Sequence, residues 1–143
     1  MQFQESDGRR KGCMQINADQ DFLPLYDAFR AIKEKLIKPS ELIASHVKRI
    51  TEFDQKINAY QSLQIEAALS RGRHLDHLVS NGSWIGPFHG IPFALKDIFD
   101  LEGQITTSGC KLLENHVAKK SGTIVRRLCE AGGVVLGKSK TVE

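Results

Sequence analysis

Apolar positions in the first part of the chain recur at helical spacing. Phe22, Leu25, Tyr26, Phe29, Ile32 and Leu36 fall in i, i+3, i+4, i+7 order and predict a helix with one buried face. Asp21 suits its N-cap, and Pro39 ends it at Ile37 or Lys38, because the residue before a proline avoids helical angles. Pro39 itself fits the first position of a second helix, with Glu41 in the first turn near the positive end of the dipole. Leu42, Ile43, His46, Val47, Ile50 and Phe53 form that helix's apolar stripe. A third helix is predicted over residues 63–79, with Ala67, Ala68, Leu75, Leu78 and Val79 inward. Gly72 weakens it by about 1 kcal/mol relative to alanine. Residues 1–20 are polar and aperiodic, which predicts a flexible lead before a single structured unit over 21–143.

The texture changes at Asn81. Nine of the 12 glycines lie in residues 81–143, so tight turns must join short elements there. Ile91-Pro-Phe-Ala-Leu95 reads as a buried strand with proline at its start. Residues 123–131 read as a short helix with Ile124, Val125 and Leu128 on one face, stopped by Gly132-Gly133. Val134-Val135-Leu136 is a second buried strand. Helices first, then strand, loop, helix and strand make an α/β pattern with the sheet only begun.

Composition narrows the classes without naming a chemistry. The chain has 143 residues, 41% of them apolar and 26% charged, within the range of an ordinary globular domain. Residues 1–60 carry 10 basic and 9 acidic groups, and residues 61–143 carry 10 and 8. A balance that even argues against a nucleic-acid-binding half or a basic membrane arm. Cys13, Cys110 and Cys129 are scattered and contain no Cys-x-x-Cys pair, which reads as free thiols and not as a zinc site or disulfide framework. The N-terminus lacks an apolar signal core, and no apolar run approaches a membrane span, so a cytoplasmic protein is expected. His46 reads as a core or boundary residue, and His74 and His77 as parts of a solvated face. No metal or organic cofactor is called for.

Three local patterns resemble site motifs. Gly132, Gly137, Lys138 and Ser139 satisfy G-x-x-x-x-G-K-S, but a phosphate-cradling loop needs a strand before it and a helix after it. Here a helix precedes the first glycine and the loop positions are strand-forming, which argues against nucleotide binding. Ser45 with Lys48, and Ser108 with Lys111, satisfy S-x-x-K, a spacing that chance supplies about once in a chain of this composition. The third is Lys96, which closes an apolar strand beside a turn-rich loop. A lysine desolvated there would have its ammonium form penalised and could serve as a base. The alternative is that it leaves the strand for solvent and pairs with Asp97 or Asp100.

Longer segments carry a resemblance. Gly86-Pro-Phe-His-Gly-Ile-Pro-Phe-Ala-Leu-Lys96-Asp97, then Gly103, Thr106-Thr107-Ser108-Gly109, and the run from Thr123 through Ala131-Gly132-Gly133 to Gly137-Lys138 resemble the amidase signature family. Pro39-Ser-Glu-Leu42 and Asn58-Ala59-Tyr60 resemble its helical lead-in more weakly. The resemblance implies a mixed sheet wrapped by helices in one large domain, of which this would be the N-terminal portion. It implies cleavage or transfer at a carboxamide through a Ser–cisSer–Lys triad, with a small-molecule amide as substrate. Lys96 matches the triad lysine. Both triad serines and the oxyanion loop would follow the G-K segment, beyond Glu143, so the 143 residues alone are expected to be inactive. Ser108, Ser121 and Ser139 do not match those positions. Cys110 stands where the family commonly has serine, Ser121-Gly122 where it has Asp-Ala, and Lys140 where it has Asn. The alternative reading is a natural short product that binds a partner through open strand edges without catalysis. An oligomer is possible on either reading.

Overall fold

A computed structural model describes residues 23–142. Helix α1 spans Leu25–Lys33, α2 Pro39–Ile57, strand β1 Tyr60–Leu63, α3 Ile65–Ser80 and β2 Pro92–Lys96. A 3-10 turn at Lys111–Leu113, α4 at Thr123–Glu130 and β3 at Val134–Ser139 complete the order. The expected α/β class is what forms. The lead, the Asp21 cap, Phe22 and Cys13 lie outside the described residues.

The sheet has the order β1-β3-β2. β3 pairs parallel with β2, from Pro92 opposite Val134 to Lys96 opposite Ser139. It pairs antiparallel with β1, where Tyr60 faces Ser139 and Leu63 faces Gly137. β3 is therefore the central strand, and the open edges belong to β1 and β2. β1 is not among the expected elements, because it gives no strand signal in the sequence. Tyr60–Leu63 alternates only between exposed and half-buried positions, so it carries no apolar pattern of its own. Its conformation is imposed by neighbours: Asn58 takes φ 54° at the end of α2, and Asp54 Oδ1 accepts the Ala59 and Tyr60 amides at 2.8 and 3.2 Å.

α2 and α3 pack on one another and against the sheet. Ile43, Ala68, Leu75, Val134 and Leu136 form one buried cluster, and Ala28, Ile32, Leu42 and Ile91 a second beneath α1. The first turn of α2 is capped from outside: Asp76 Oδ1 on α3 accepts the Ser40 amide at 2.9 Å, while Glu41 accepts the Lys38 amide at 2.9 Å. A carboxylate there also favours the positive end of the helix dipole.

Several apolar positions do not face inward as expected. Leu25, Tyr26 and Leu36 are exposed, whereas Ile32 is buried as expected and Ala28 and Ala31 are buried beside it. α1 stops at Lys33, short of Pro39, because Lys35 turns to φ 58° and the Leu36 amide bonds back to the Ala31 carbonyl. Ala67 and Ile124 are exposed too. Gly72 is buried, and a Cβ there would meet Ile43 Cδ1 at 2.8 Å; close helix packing is the reason for the glycine.

Gly132 follows α4 at φ 98°, and a Cβ on it would sit 2.7 Å from His89 Cα. Alanine there meets both an unfavourable backbone angle and a fixed main chain, and should cost about 3 kcal/mol. Gly103, at φ 75° with nothing within 4 Å, isolates the backbone part, and its alanine variant should lose only about 1 kcal/mol. Urea midpoints of the two variants check the difference; equal losses would remove the His89 contact as the cause.

His89 is buried beside that glycine. Its ring stacks on Trp84 with centroids 4.4 Å apart, Nδ1 accepts the Ile85 amide at 3.2 Å, and Nε2 lies 3.3 Å from the Leu75 carbonyl oxygen. This pattern fixes the neutral ring with its proton on Nε2, since a second proton on Nδ1 would point at an N–H. Burial lowers the pKa from the usual 6.5; the Leu75 carbonyl and Asp76 oppose that shift, and Arg71 adds to it. The unfolded chain therefore takes up the proton first, so stability should fall as the pH drops below about 6.5. Thermal melts at pH 7.5, 6.5 and 5.5 read this directly, and a flat melting temperature across that range would refute it.

Candidate active site

The end of β2 gathers the chemistry. Burial alternates along its last residues and beyond: Leu95 is buried, Lys96 exposed, Asp97 buried, as the two-residue period of an extended chain dictates. Lys96 is not desolvated as expected. Lys96 projects from the opposite face of the strand to Leu95 and Asp97, and the described residues leave that face uncovered at this point. Lys96 does not pair with Asp97 or Asp100 either; among the described residues its side chain makes no hydrogen bond or ion pair.

Asp97 is taken by another lysine. Lys138 on β3 is fully buried, and its ammonium lies 2.6 Å from Asp97 Oδ1. It also donates to the Ile105 carbonyl oxygen at 2.7 Å and to Thr106 Oγ1 at 2.7 Å. The ammonium thus makes two hydrogen bonds and one close ion pair, and among the described residues Asp97 Oδ1 has no hydrogen-bond partner beyond that charge contact. Asp97 Oδ2 accepts the Thr107 amide at 3.1 Å and the Thr107 hydroxyl at 2.5 Å. Burial alone would raise the Asp97 carboxyl, but the Lys138 ammonium and the hydrogen bonds from Thr107 outweigh it and hold the group below the usual carboxylate range.

The main chain is tied as firmly. The Asp97 amide donates to the Ser139 carbonyl at 3.0 Å, the Ser108 amide to the Asp97 carbonyl at 2.9 Å, and the Ile98 amide to the Lys96 carbonyl at 2.7 Å. Ser108 and Gly109 take φ 52° and 77°, which turns the Thr106–Gly109 loop back beneath the strand end.

The remaining candidates separate from this site. Gly137, Lys138 and Ser139 lie within a strand, and the Lys138 ammonium is spent internally, so the phosphate-loop pattern holds no phosphate cradle. Ser45 donates to the Leu42 carbonyl along α2. His46 is half-buried with Nδ1 2.9 Å from the Leu42 carbonyl oxygen, a boundary residue as expected, and His74 and His77 are exposed. Cys110 and Cys129 are free thiols; burial, partly offset by Arg71, pushes Cys129 up, the opposite of an activated thiolate. The buried Lys138–Asp97 pair is what sequence reasoning missed, although both residues stand in the quoted motifs.

The family model named Amidase matches residues 41–143. The chain belongs to the amidase signature family. Among curated relatives of this amidase-signature chain, the A-type subunit of glutamyl-tRNA(Gln) amidotransferase from Streptomyces coelicolor is 38% identical over 103 residues, covering 72% of this chain and 21% of that protein. Its counterpart from Bdellovibrio bacteriovorus is 35% identical over 120 residues, covering 84% and 24%. Peptide amidase from Stenotrophomonas maltophilia superposes with a TM-score of 0.77 at 27% identity, over 86% of this chain and 26% of that one. A chain of the inhibitor-bound vestigial protein complex related to an s-triazine catabolic enzyme gives 0.80 at 26% identity, over 85% and 27%. This amidase-signature chain thus spans about a quarter of the length of the relatives it matches. Among the described residues no helix is long and apolar enough to cross a membrane.

Proposed function

We propose that residues 21–143 form the first part of an amidase domain that cleaves or transfers from a small-molecule carboxamide in the cytoplasm, and that Lys96 is its base. The observation that carries this reading is the placement of Lys96: it leaves the end of β2 from a backbone tied on both sides, within the family's own motif. In the triad scheme the Lys96 amine takes the proton from the hydroxyl of a bridging serine. That serine takes the proton of the nucleophilic serine, whose Oγ bonds to the carbonyl carbon as the C–N bond breaks and the amine leaves. Neither serine matches a position in this sequence.

Hydroxylamine trapping tests the reading. The gene product purified from its source should exceed 16.0 kDa by intact mass and convert simple amides to acyl-hydroxamates, whereas residues 1–143 alone should form none. A source product of 16.0 kDa without that activity would overturn the amidase reading in favour of a binding protein using the open edges of β1 and β2.

A further inference from the structure

Lys138 lies outside the proton path just described, yet it is the largest fully buried side chain of the described residues. Burying an ammonium carries a desolvation cost of several kcal/mol, and here it is met by a carboxylate, a carbonyl and a hydroxyl from two segments. Asp97 comes directly after Lys96, while Ile105 and Thr106 belong to the returning loop. The ammonium therefore clamps three pieces of chain together: the end of β2, β3 and the loop.

The consequence for Lys96 follows from strand geometry. Leu95 and Asp97 point to one side and Lys96 to the other. The direction of the Lys96 side chain is set by how residue 97 is held. Residue 97 is held at its amide, its carbonyl and both carboxylate oxygens. Only the clamp's Asp97–Lys138 contact joins that carboxylate to β3. Releasing it leaves residue 97 held by its main-chain bonds and by Thr107, but without the side-chain tie to β3 that fixes the strand end.

We propose that Lys138 is a positioning residue for amide chemistry at Lys96, acting through Asp97 and Thr106. This rests on the reading of Lys96 as the base. Misplacement of a catalytic group by about 1 Å costs on the order of 100-fold in rate, so the effect should appear in kcat while KM holds.

The test uses the gene product purified from its source, assayed by hydroxamate formation, with Lys96→Ala as the reference. Thr106→Val removes one acceptor while keeping the ion pair. It should lower kcat about ten-fold with KM within two-fold, and Thr106→Ser, which returns the hydroxyl, should restore the rate. The pair Lys138→Met with Asp97→Asn removes the clamp without leaving a buried charge and should lower kcat about 100-fold. Retained kcat in Thr106→Val, or in the folded pair variant, would overturn the positioning role while leaving the base assignment intact if Lys96→Ala is inactive. Full activity in Lys96→Ala, or none in the unaltered protein, would overturn both.

Discussion

Lys96→Ala in the complete gene product should lower the acylation rate by roughly 10³-fold, within the 10² to 10⁴ that a positioned proton acceptor contributes. The loss should fall on kcat and kcat/KM together, because the lysine would act only when a proton moves and not when the amide binds. On the triad reading the three groups would act as a unit, so adding a serine replacement to Lys96→Ala should cost little more. Single-turnover acylation, with the acyl group trapped by hydroxylamine, measures this step apart from product release. Lys96→Arg is the informative companion: it keeps a cation and most of the volume, but the guanidinium does not give up its proton at working pH. It should be as inactive as alanine. An active Lys96→Arg would show that position 96 contributes charge alone.

Lys138→Ala should destabilise the fold by about 3–5 kcal/mol, the usual cost of removing one member of a buried pair. Asp97 would be left as an unpaired carboxylate in the interior, with Thr106 Oγ1 and the Ile105 carbonyl stripped of their donor. The pH dependence identifies the cause. In the unaltered protein the Asp97 carboxyl is held below its ordinary value of 3.8, so its contribution is complete above that pH and is lost as the pH falls below it. In Lys138→Ala the ammonium is gone and burial, the largest single cause, is opposed only by the two Thr107 hydrogen bonds, so the carboxyl should rise and the folded form should bind the proton more readily than the unfolded chain. That contribution then improves as the pH falls through the raised value. Urea unfolding at pH 7 and pH 5 should show Lys138→Ala closing part of its gap to the unaltered protein at the lower pH. A gap independent of pH would assign the loss to packing around the lysine stem.

The elements legible in the sequence are those whose own residues carry the periodicity. Pro39 starts α2 as expected, because its angle and missing donor suit a first helical turn whatever the surroundings. β2 and the beginning of β3 show as apolar runs between glycines. β1 does not, since Tyr60–Leu63 becomes a strand only by pairing with β3 and by the Asp54 turn before it. The C-terminal end of α1 falls short of its expected reach because Leu36 continues the spacing while the chain itself turns at Lys35. At the site, position 96 is identified by the motif around it, but its exposure depends on which face of the sheet the described residues cover. The partner of Asp97 is hidden for a related reason: Lys138 lies across the loop and α4, and no local pattern distinguishes a lysine buried in a central strand from one at a turn.

The central place of β3 has a consequence for the order of folding. β1 and β2 do not touch one another as a pair; each finds its partner only in Val134–Ser139. During synthesis, α1, α2 and α3 can pack from local contacts, while β1 and β2 wait with their hydrogen-bonding edges unused until β3 emerges. The helical half is then the fast, low-contact-order part of the molecule and the sheet the slow one, and the nascent chain is most exposed to edge-to-edge association in the interval between them.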